Sequence, residues 1–262
     1  MQKTSGLEPP YRILDENPRG GMRGMRGLSF YNGELATADY SAIFFFDKQW
    51  NLVRSITHPS VSGIHELLYC HDGVWVTSTA NDMLVRFDLE GNLVEIYSLR
   101  EQQDLMRRIN GPRNILLRPC DALAGRHDFR KRTYFTSDKY DRLHLNGLTR
   151  APDGRMIVSL GLVVGDTFEL LMHLKTLLRF LKVWDLFLGI NRAIRRLLGL
   201  KKQMLSELIV QPKHGSSAIV SKDSSGKWDL HLQFQVTHNP SHSIRILEDG
   251  TGLYLNSSYG RL

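Results

Sequence analysis

A short motif recurs four times along the chain and constrains its fold more than any other feature. In its reference copy, Asn146 begins a β-like run, and Asp-Gly follows at offsets of seven and eight residues. The same spacing begins at His65 and at His242, and a shorter copy with Asn-Gly begins at Arg26. Such a dipeptide between two β-like runs is the strongest local signal of a β-hairpin, because both turn residues tolerate positive φ. A hairpin that recurs in register indicates a repeat protein.

The units that begin at Arg26 and His65 are 39 residues apart, and each contains four short strand-like runs. Four antiparallel strands in a unit of about 40 residues are typical of a propeller blade. We therefore predict an all-β fold, a β-propeller that covers residues 25–262 after a lead-in at 1–24. The predicted strands of these two units are Leu28–Phe30, Glu34–Ala38, Ile43–Asp47 and Leu52–Ile56, followed by His65–Cys70, Val74–Thr79, Met83–Asp88 and Leu93–Tyr97.

The interval between the second and third copies of the motif is longer than one blade requires. His65 and Asn146 are 81 residues apart, so either two blades or one blade and a long excursion fit between them. We favour an irregular section over residues 98–132, because the strand pattern is lost there. This section contains a predicted helix, Leu99–Ile109, and the next predicted strand is Thr133–Ser137.

The interval from Asn146 to His242 is 96 residues, which is far too long for one blade. Between Phe168 and Leu200, apolar residues recur at every third or fourth position, which is the spacing of an amphipathic helix. Strand-like runs resume at Ser217–Ser221. Residues 162–213 are therefore predicted to be an α-helical insertion between the second and third strands of one blade.

The last unit, which begins at His242, contains only two strand-like runs before the sequence ends at Leu262. A propeller ring closes to remove the edges of its sheets, so we expect the propeller to be partial in this chain. The alternative is that an edge strand at Tyr11–Leu14 pairs with the last hairpin and partly closes the ring.

Composition and charge indicate a globular protein without a predicted membrane-spanning helix. The chain has 262 residues, 42% of them hydrophobic, which is enough for a sizeable core. The N-terminus lacks the apolar stretch of a signal peptide, and no run of about 18 apolar residues predicts a membrane-spanning helix. We therefore expect a cytoplasmic protein. Its net charge of +7 comes largely from Arg107–Arg132 and Lys175–Lys202, and the first stretch lacks the interleaved aromatic residues that would predict nucleic-acid binding.

Two longer segments resemble a known family. They are DRLHLNGLTRAPDGRMIVSLG at 141–161 and NPSHSIRILEDGTGLYLNSSYGRL at 239–262. They resemble an uncharacterised, mostly bacterial family of β-propeller proteins with HLNG and PHS motifs, and the resemblance covers roughly 60–160 and 215–262. More distantly, the chain is similar to the NHL and gluconolactonase (senescence-marker) propellers, which implies the six-bladed type. The helical insertion matches neither pattern.

The more distant resemblance implies a metal site. In lactonase-like propellers, the Asn of the Asn-Gly-Leu segment is a divalent-metal ligand on the central axis, and the matching residue here is Asn146. Such an activity would be that of a metal-dependent hydrolase or lactonase. Those enzymes also have acidic ligands on other blades, whereas His65 and His242 stand at the equivalent strand starts here. In this respect the chain is more similar to propellers that place histidines at the channel mouth, a class that includes lyases and metal-dependent oxygenases.

The first strand of each propeller blade lines the central channel, so the residues that open these strands should converge at one mouth. The candidate ligand-binding residues there are Arg26, His65, His144, Asn146 and His242. Of these, His65, Asn146 and His242 could bind a divalent metal ion. Alternatively, the group could hold a carboxylate or phosphate, or use a histidine as a general acid or base. A fourth alternative is structural, with these side chains hydrogen-bonded to neighbouring blades and channel water.

The insertion provides a second functional hypothesis. Its predicted helix combines an apolar face with basic residues, a composition that suits an anionic membrane surface. Otherwise the apolar face covers the propeller mouth as a lid or docks on a protein partner. Two functions are then open: a small-molecule binding site or metal-dependent enzyme site at the channel mouth, or a non-catalytic interaction propeller. The residues expected at a membrane or partner contact are Lys175, Arg179, Lys182, Trp184, Arg192, Arg195 and Arg196.

Overall fold

The computed structural model describes residue 15 and residues 25–112, 127–131, 141–165, 189–190, 193, 196–197, 215–236 and 242–255. Within these residues, fourteen β-strands form four antiparallel sheets. The strands are β1 (Arg26–Tyr31), β2 (Glu34–Ala38), β3 (Ala42–Phe46), β4 (Leu52–Thr57), β5 (Ile64–Cys70), β6 (Gly73–Ser78), β7 (Met83–Phe87), β8 (Leu93–Ser98), β9 (Leu145–Arg150), β10 (Met156–Val163), β11 (Gly215–Lys222), β12 (Trp228–Val236), β13 (His242–Ile246) and β14 (Gly252–Leu255).

The strand order is that of a β-propeller. Strands β1–β4, β5–β8 and β9–β12 each form a four-stranded sheet in sequence order, and β13–β14 form a hairpin. We call these blades 1 to 4. The first strands pack side by side around the axis, since β1 contacts β5, β5 contacts β9, and β9 contacts β13. The predicted all-β propeller is confirmed, whereas the number of blades stays a prediction.

The recurring dipeptides form the hairpin turns that the sequence predicts. Gly73 and Gly154 both have positive φ, of 116° and 87°. In the turn between β9 and β10, Gly154 donates its N–H to the carbonyl of Ala151, and the Asp153 carboxylate accepts the N–H of Arg155. The turn between β13 and β14 repeats both bonds at the equivalent residues. Asp153 is thus a turn-stabilising residue, as Asp commonly is.

Every first strand carries a β-bulge near its start. In each blade the pairing with the second strand skips at least one residue of the first strand, and the skipped residues adjoin the candidate site. A bulge bends its strand and re-aims nearby side chains, which is how regular hairpins can present polar residues at the channel. The skipped residues are Gly27 in β1, His65 and Glu66 in β5, Asn146 in β9 and Ser243 in β13.

Two apolar clusters hold neighbouring blades together. The cluster between blades 1 and 2 includes Phe45 and Leu67, and the cluster between blades 2 and 3 includes Trp75 and Val158. All four side chains are buried. Complete burial of one large apolar side chain contributes about 1.5–3 kcal/mol. Packing between blades therefore fixes the first strands against one another, and with them the residues at the channel mouth.

In the long interval between blades 2 and 3, β5 and β6 contact β9 directly, and no described strand lies between β8 and β9. The predicted irregular section over residues 98–132 stays a prediction, because residues 113–126 and 132–140 lie outside the described residues. The predicted helix Leu99–Ile109 is wrong as one element. It divides into a 3-10 helix, Leu99–Glu101, and helix α1, Gln103–Arg108, because Gln102 leaves the helical region at φ −80° and ψ 77°. The predicted strands Thr133–Ser137 and Tyr11–Leu14 lie outside the described residues.

The second long excursion joins β10 to β11, which are neighbours in one sheet. It thus leaves the blade between its second and third strands. Strand β10 continues to Val163, one residue beyond the predicted start of the insertion at 162, because Val163 still pairs with Ser216. Most of the insertion lies outside the described residues, including the predicted contact residues Lys175, Arg179, Lys182, Trp184, Arg192 and Arg195. The remaining one, Arg196, is helical and exposed.

Candidate functional site at the channel mouth

Three histidines from three blades meet at the channel mouth. The ring centroids of His65 and His144 lie 4.9 Å apart, and each lies 5.9 Å from that of His242. His65 and His242 are nearly parallel, at 7°, whereas His144 meets both rings edge to face. All three are partly exposed. The predicted convergence of these residues is therefore present in the described part of the chain.

Asn146 fixes one ring nitrogen of His242. Its amide oxygen Oδ1 accepts a hydrogen bond from the Ser159 hydroxyl at 3.0 Å, and its Nδ2 lies 3.2 Å from His242 Nδ1. With the amide in this orientation, Nδ2–H donates to His242 Nδ1. The neutral His242 ring then carries its proton on Nε2, so that Nε2–H is a hydrogen-bond donor.

Asp141 fixes the other key ring. Its Oδ2 lies 2.7 Å from His144 Nδ1, and its Oδ1 accepts the backbone N–H of His144 at 3.0 Å. The carboxylate selects the tautomer with the proton on Nδ1, which leaves Nε2 of the neutral ring as an acceptor. This is the arrangement by which a carboxylate orients the general base of a catalytic triad. Asp141 and His144 thus form a dyad, in which Asp141 orients the ring and His144 presents Nε2 as the acceptor.

The surroundings move the pKa values of the two anchored histidines in opposite directions. Burial alone would lower the pKa of His144, but the charge and hydrogen bond of Asp141, helped by Asp82, raise it above its ordinary value. Burial lowers the pKa of His242, and the charges of His144 and Arg26 lower it further. Groups with pKa values moved apart are suited to different acid–base roles. The positive charge of Arg26 lowers the pKa of both histidines.

A second polar pair crosses between blades beside the histidines. Arg245 of β13 places Nη2 3.5 Å from Oε2 of Glu66 in β5, and its Nη1 donates to the Leu148 carbonyl. Burial raises the pKa of Glu66, although Arg245 and the N–H of Leu67 oppose this shift. The pair links the same blades that supply His65 and His242.

A buried acidic residue holds the backbone between the dyad residues. Asp82 accepts the N–H of Arg142 through Oδ2 and that of Leu143 through Oδ1, both at 2.9 Å. Arg100 places Nε 3.2 Å from Asp82 Oδ2, and both side chains are fully buried. Complete burial raises the pKa of Asp82, and Arg100 opposes this shift.

The metal site predicted at His65, Asn146 and His242 stays a prediction. Asn146 directs its amide nitrogen, not its oxygen, toward His242 Nδ1, so the two side chains do not share a cation through these atoms. The described residues hold no group of three or more His, Cys, Asp or Glu side chains arranged to bind a metal ion.

Sequence reasoning missed Asp141, Ser159, Asp82 and Arg100. Asp141 could have been found, because it precedes His144 by three residues in the segment DRLH. A short acidic side chain at that distance can return to an imidazole when the chain turns, and His144 has a φ of 50° here. Ser159 lies opposite Gly147 in the β9–β10 hairpin, so the register of the predicted hairpin could have placed it beside Asn146. No local signal marks Asp82 and Arg100, which reach the site through the folding of distant segments.

Comparisons with known proteins add little to this description. No protein-family model and no curated protein match the chain. Similar solved structures include a catalytically inactive virginiamycin B lyase from Staphylococcus aureus with quinupristin, at 11% identity, covering 89% of this chain and 49% of that chain, with a TM-score of 0.44. A glutaminyl cyclase from Myxococcus xanthus matches at 17% identity over 52% of this chain and 50% of that chain, with a TM-score of 0.34.

A third similar structure is a protein of unknown function from Bacteroides caccae, at 7% identity, covering 91% of this chain and 58% of that chain, with a TM-score of 0.38. The chain thus spans about half the length of each of these three structures. At such scores the likeness says nothing of activity, since one fold supports many functions. Among the described residues, no helix has the length and apolar character needed to cross a membrane.

Proposed function

We propose that the channel mouth binds a small anionic organic molecule and performs general acid–base chemistry on it. The observation that carries this proposal is the Asp141–His144 dyad, with its 2.7 Å hydrogen bond, in ring contact with two further histidines. A dyad of this kind has its basic nitrogen, Nε2, directed away from the carboxylate. Arg26 supplies positive charge nearby, which favours a substrate with a carboxylate or a developing oxyanion.

The two anchored histidines have different roles in this proposal. Neutral His144 takes a proton through Nε2, either from a carbon next to a carbonyl group or from a water molecule. The imidazolium that forms is stabilised by Asp141. Negative charge that develops on the substrate oxygen accepts a hydrogen bond from Nε2–H of His242, which Asn146 holds in that tautomer. In the first version, the electrons of the broken C–H bond form a C=C bond and expel a carboxylate from the adjacent carbon, which is an elimination, as in lyases. In the second, the hydroxide adds to a lactone carbonyl, the ring C–O bond breaks, and His144 returns the proton to the departing oxygen, which is a hydrolysis, as in lactonases.

Binding is tested with malonate as the probe and with protein labelled at the histidine ring carbons. We expect saturable NMR shifts of His65, His144 and His242 as malonate is added. His231 serves as an internal control, because it lies on the outer strand β12 and is hydrogen-bonded to Ser221. No shift at the three site histidines, or an equal shift at His231, would contradict the proposed site.

Catalysis is tested with a panel of small lactones and a panel of β-acyloxy carboxylates. Both reactions release acid, but only the elimination forms a conjugated double bond that absorbs in the ultraviolet, so absorbance distinguishes the two. His144→Ala should reduce turnover by about 100-fold or more, the usual contribution of a general base. The matched variant His231→Ala should retain wild-type turnover. Equal activity of the two variants would exclude His144 as the base.

A further inference from the structure

We propose that the buried Asp82–Arg100 ion pair is a positioning pair for the Asp141–His144 dyad. This inference rests on the proposed function, because it concerns how the base of that site is oriented. Asp82 follows a 3-10 helix, Thr79–Asn81, at the end of β6, and the dyad precedes β9 in the next blade. The pair thus connects the core of blade 2 with the part of the channel mouth that blade 3 supplies.

Asp82 contacts the only two residues that separate the dyad partners along the chain. Its two carboxylate oxygens accept the N–H groups of Arg142 and Leu143, one each. Backbone N–H groups and carbonyls that are buried need partners, and a carboxylate is a stronger acceptor than a neutral group. Asp82 therefore determines where the backbone lies between Asp141 and His144.

The same short segment is held from its other side by β10 and the residues after it. The N–H groups of Gly161, Leu162 and Val164 donate to the carbonyls of His144, Leu143 and Arg142, at 2.9, 3.3 and 3.0 Å. Donors of the segment thus bond to Asp82, and its acceptors bond to β10. A hydroxyl from the same 3-10 helix, that of Thr79, donates to the next carbonyl, that of Leu145.

The hydrogen bonds of Asp82 and β10 to this segment, which we call the clamp, explain how His144 keeps an unfavourable backbone conformation. Its φ of 50° lies in the left-handed region, which residues other than glycine rarely adopt. Such conformations persist where the surrounding structure over-determines them, and they cluster at functional sites. Here the conformation brings the His144 ring back to the carboxylate of Asp141. Arg100 stabilises the negative charge of Asp82, because an unpaired charge would not be tolerated at complete burial.

The test reads the tautomer of His144 in ligand-free protein. Long-range nitrogen–proton NMR spectra distinguish a neutral ring protonated on Nδ1 from one protonated on Nε2. We expect the Nδ1–H form to predominate in the wild type and to fall at least about threefold relative to Nε2–H in Asp82→Asn. Asp141→Asn is the positive control, because its single amide oxygen is needed by the His144 backbone N–H and its NH2 group would then donate to Nδ1. Asp72→Asn is the matched control, because it breaks an ion pair with Arg150 away from the site.

The outcomes separate positioning from simple stabilisation. A His144 tautomer ratio in Asp82→Asn that equals the wild-type ratio, even with a lower melting temperature, overturns the proposal. A ratio altered in Asp82→Asn but not in Asp72→Asn supports it. If Asp82→Asn does not fold, the double variant Asp82→Asn/Arg100→Gln removes both charges together and is read in the same way.

Amide exchange in the wild type provides a result that needs no variant. The N–H groups of Arg142 and Leu143 should exchange as slowly as the paired amides of β9, and exchange more than about 100-fold faster would overturn the clamp. Neither measurement uses a ligand. Failure of the malonate and substrate tests would therefore remove the catalytic role of His144 but not the measured effect of Asp82 on its ring, and failure of the tautomer test alone leaves the proposed site standing.

Discussion

Replacement of Arg100 by methionine removes one partner of a fully buried ion pair and should destabilise the fold strongly. The Arg100 and Asp82 side chains are both 0% exposed, and Nε and Oδ2 lie 3.2 Å apart. Removal of one partner of such a pair leaves an uncompensated buried charge and costs about 3–5 kcal/mol. The loss should be smaller in acid, because burial already raises the pKa of Asp82 and protonation removes the unpaired charge.

The double variant Arg100→Met/Asp82→Asn separates the buried charge from the lost packing. It removes both charges but keeps one amide oxygen for the two backbone N–H groups that Asp82 accepts. One N–H then loses its partner, at a cost of about 1–3 kcal/mol. The double variant should therefore be more stable than Arg100→Met alone.

The assay is urea unfolding followed by tryptophan fluorescence, which reports on the buried Trp75 and Trp228. The slope of the unfolding free energy with urea should stay constant, so that the midpoint reports stability. A loss below about 1 kcal/mol in Arg100→Met would refute the reasoning from burial. So would a double variant that is no more stable than the single one.

Three further predictions concern other parts of the molecule. Gly73→Ala should cost more than about 3 kcal/mol, because an added Cβ would lie 2.0 Å from the Phe87 carbonyl oxygen. Gly154→Ala, where a Cβ meets nothing within 4 Å, should cost only about 1–2 kcal/mol; equal losses in urea unfolding would contradict this. Phe45→Ala should cost about 3–5 kcal/mol, because the ring is fully buried and Arg54 lies 3.8 Å from its centroid; a loss below about 1 kcal/mol would count against it. Because the pKa of His144 is raised, its stabilisation should be complete below its unfolded value near 6.5 and be lost as pH rises through the folded value. Asp141→Asn should flatten this pH dependence of the urea midpoint, and an unchanged dependence would refute the role of Asp141.

The fold could be predicted because its signals are local. Each Asp-Gly or Asn-Gly turn is specified by two residues, and each strand by its immediate neighbours. Alignment of the turns then placed His65, Asn146 and His242 at equivalent strand starts, and their convergence follows from propeller geometry. The bulges were not predictable, since Ser243, with a φ of 56°, carries no residue-type signal for a left-handed conformation.

The supporting residues of the site could not be predicted, because they depend on contacts between distant segments. Asp82 and Arg142 are far apart in sequence, and nothing near either residue signals burial. Arg100 opens a run of five polar residues, Arg100–Asp104, which is typical of an exposed helical surface. The structure instead places Arg100 in the core beside Asp82, and the helix breaks at Gln102.

The most direct test of the account is the separate titration of His144 and His242 by NMR in the ligand-free protein. The proposed site requires His144 to be the more basic ring and His242 to be the more easily neutralised one. We predict a midpoint for His144 above the ordinary histidine value of about 6.5 and a midpoint for His242 below it. Midpoints in the reverse order, or two midpoints at the ordinary value, would contradict it.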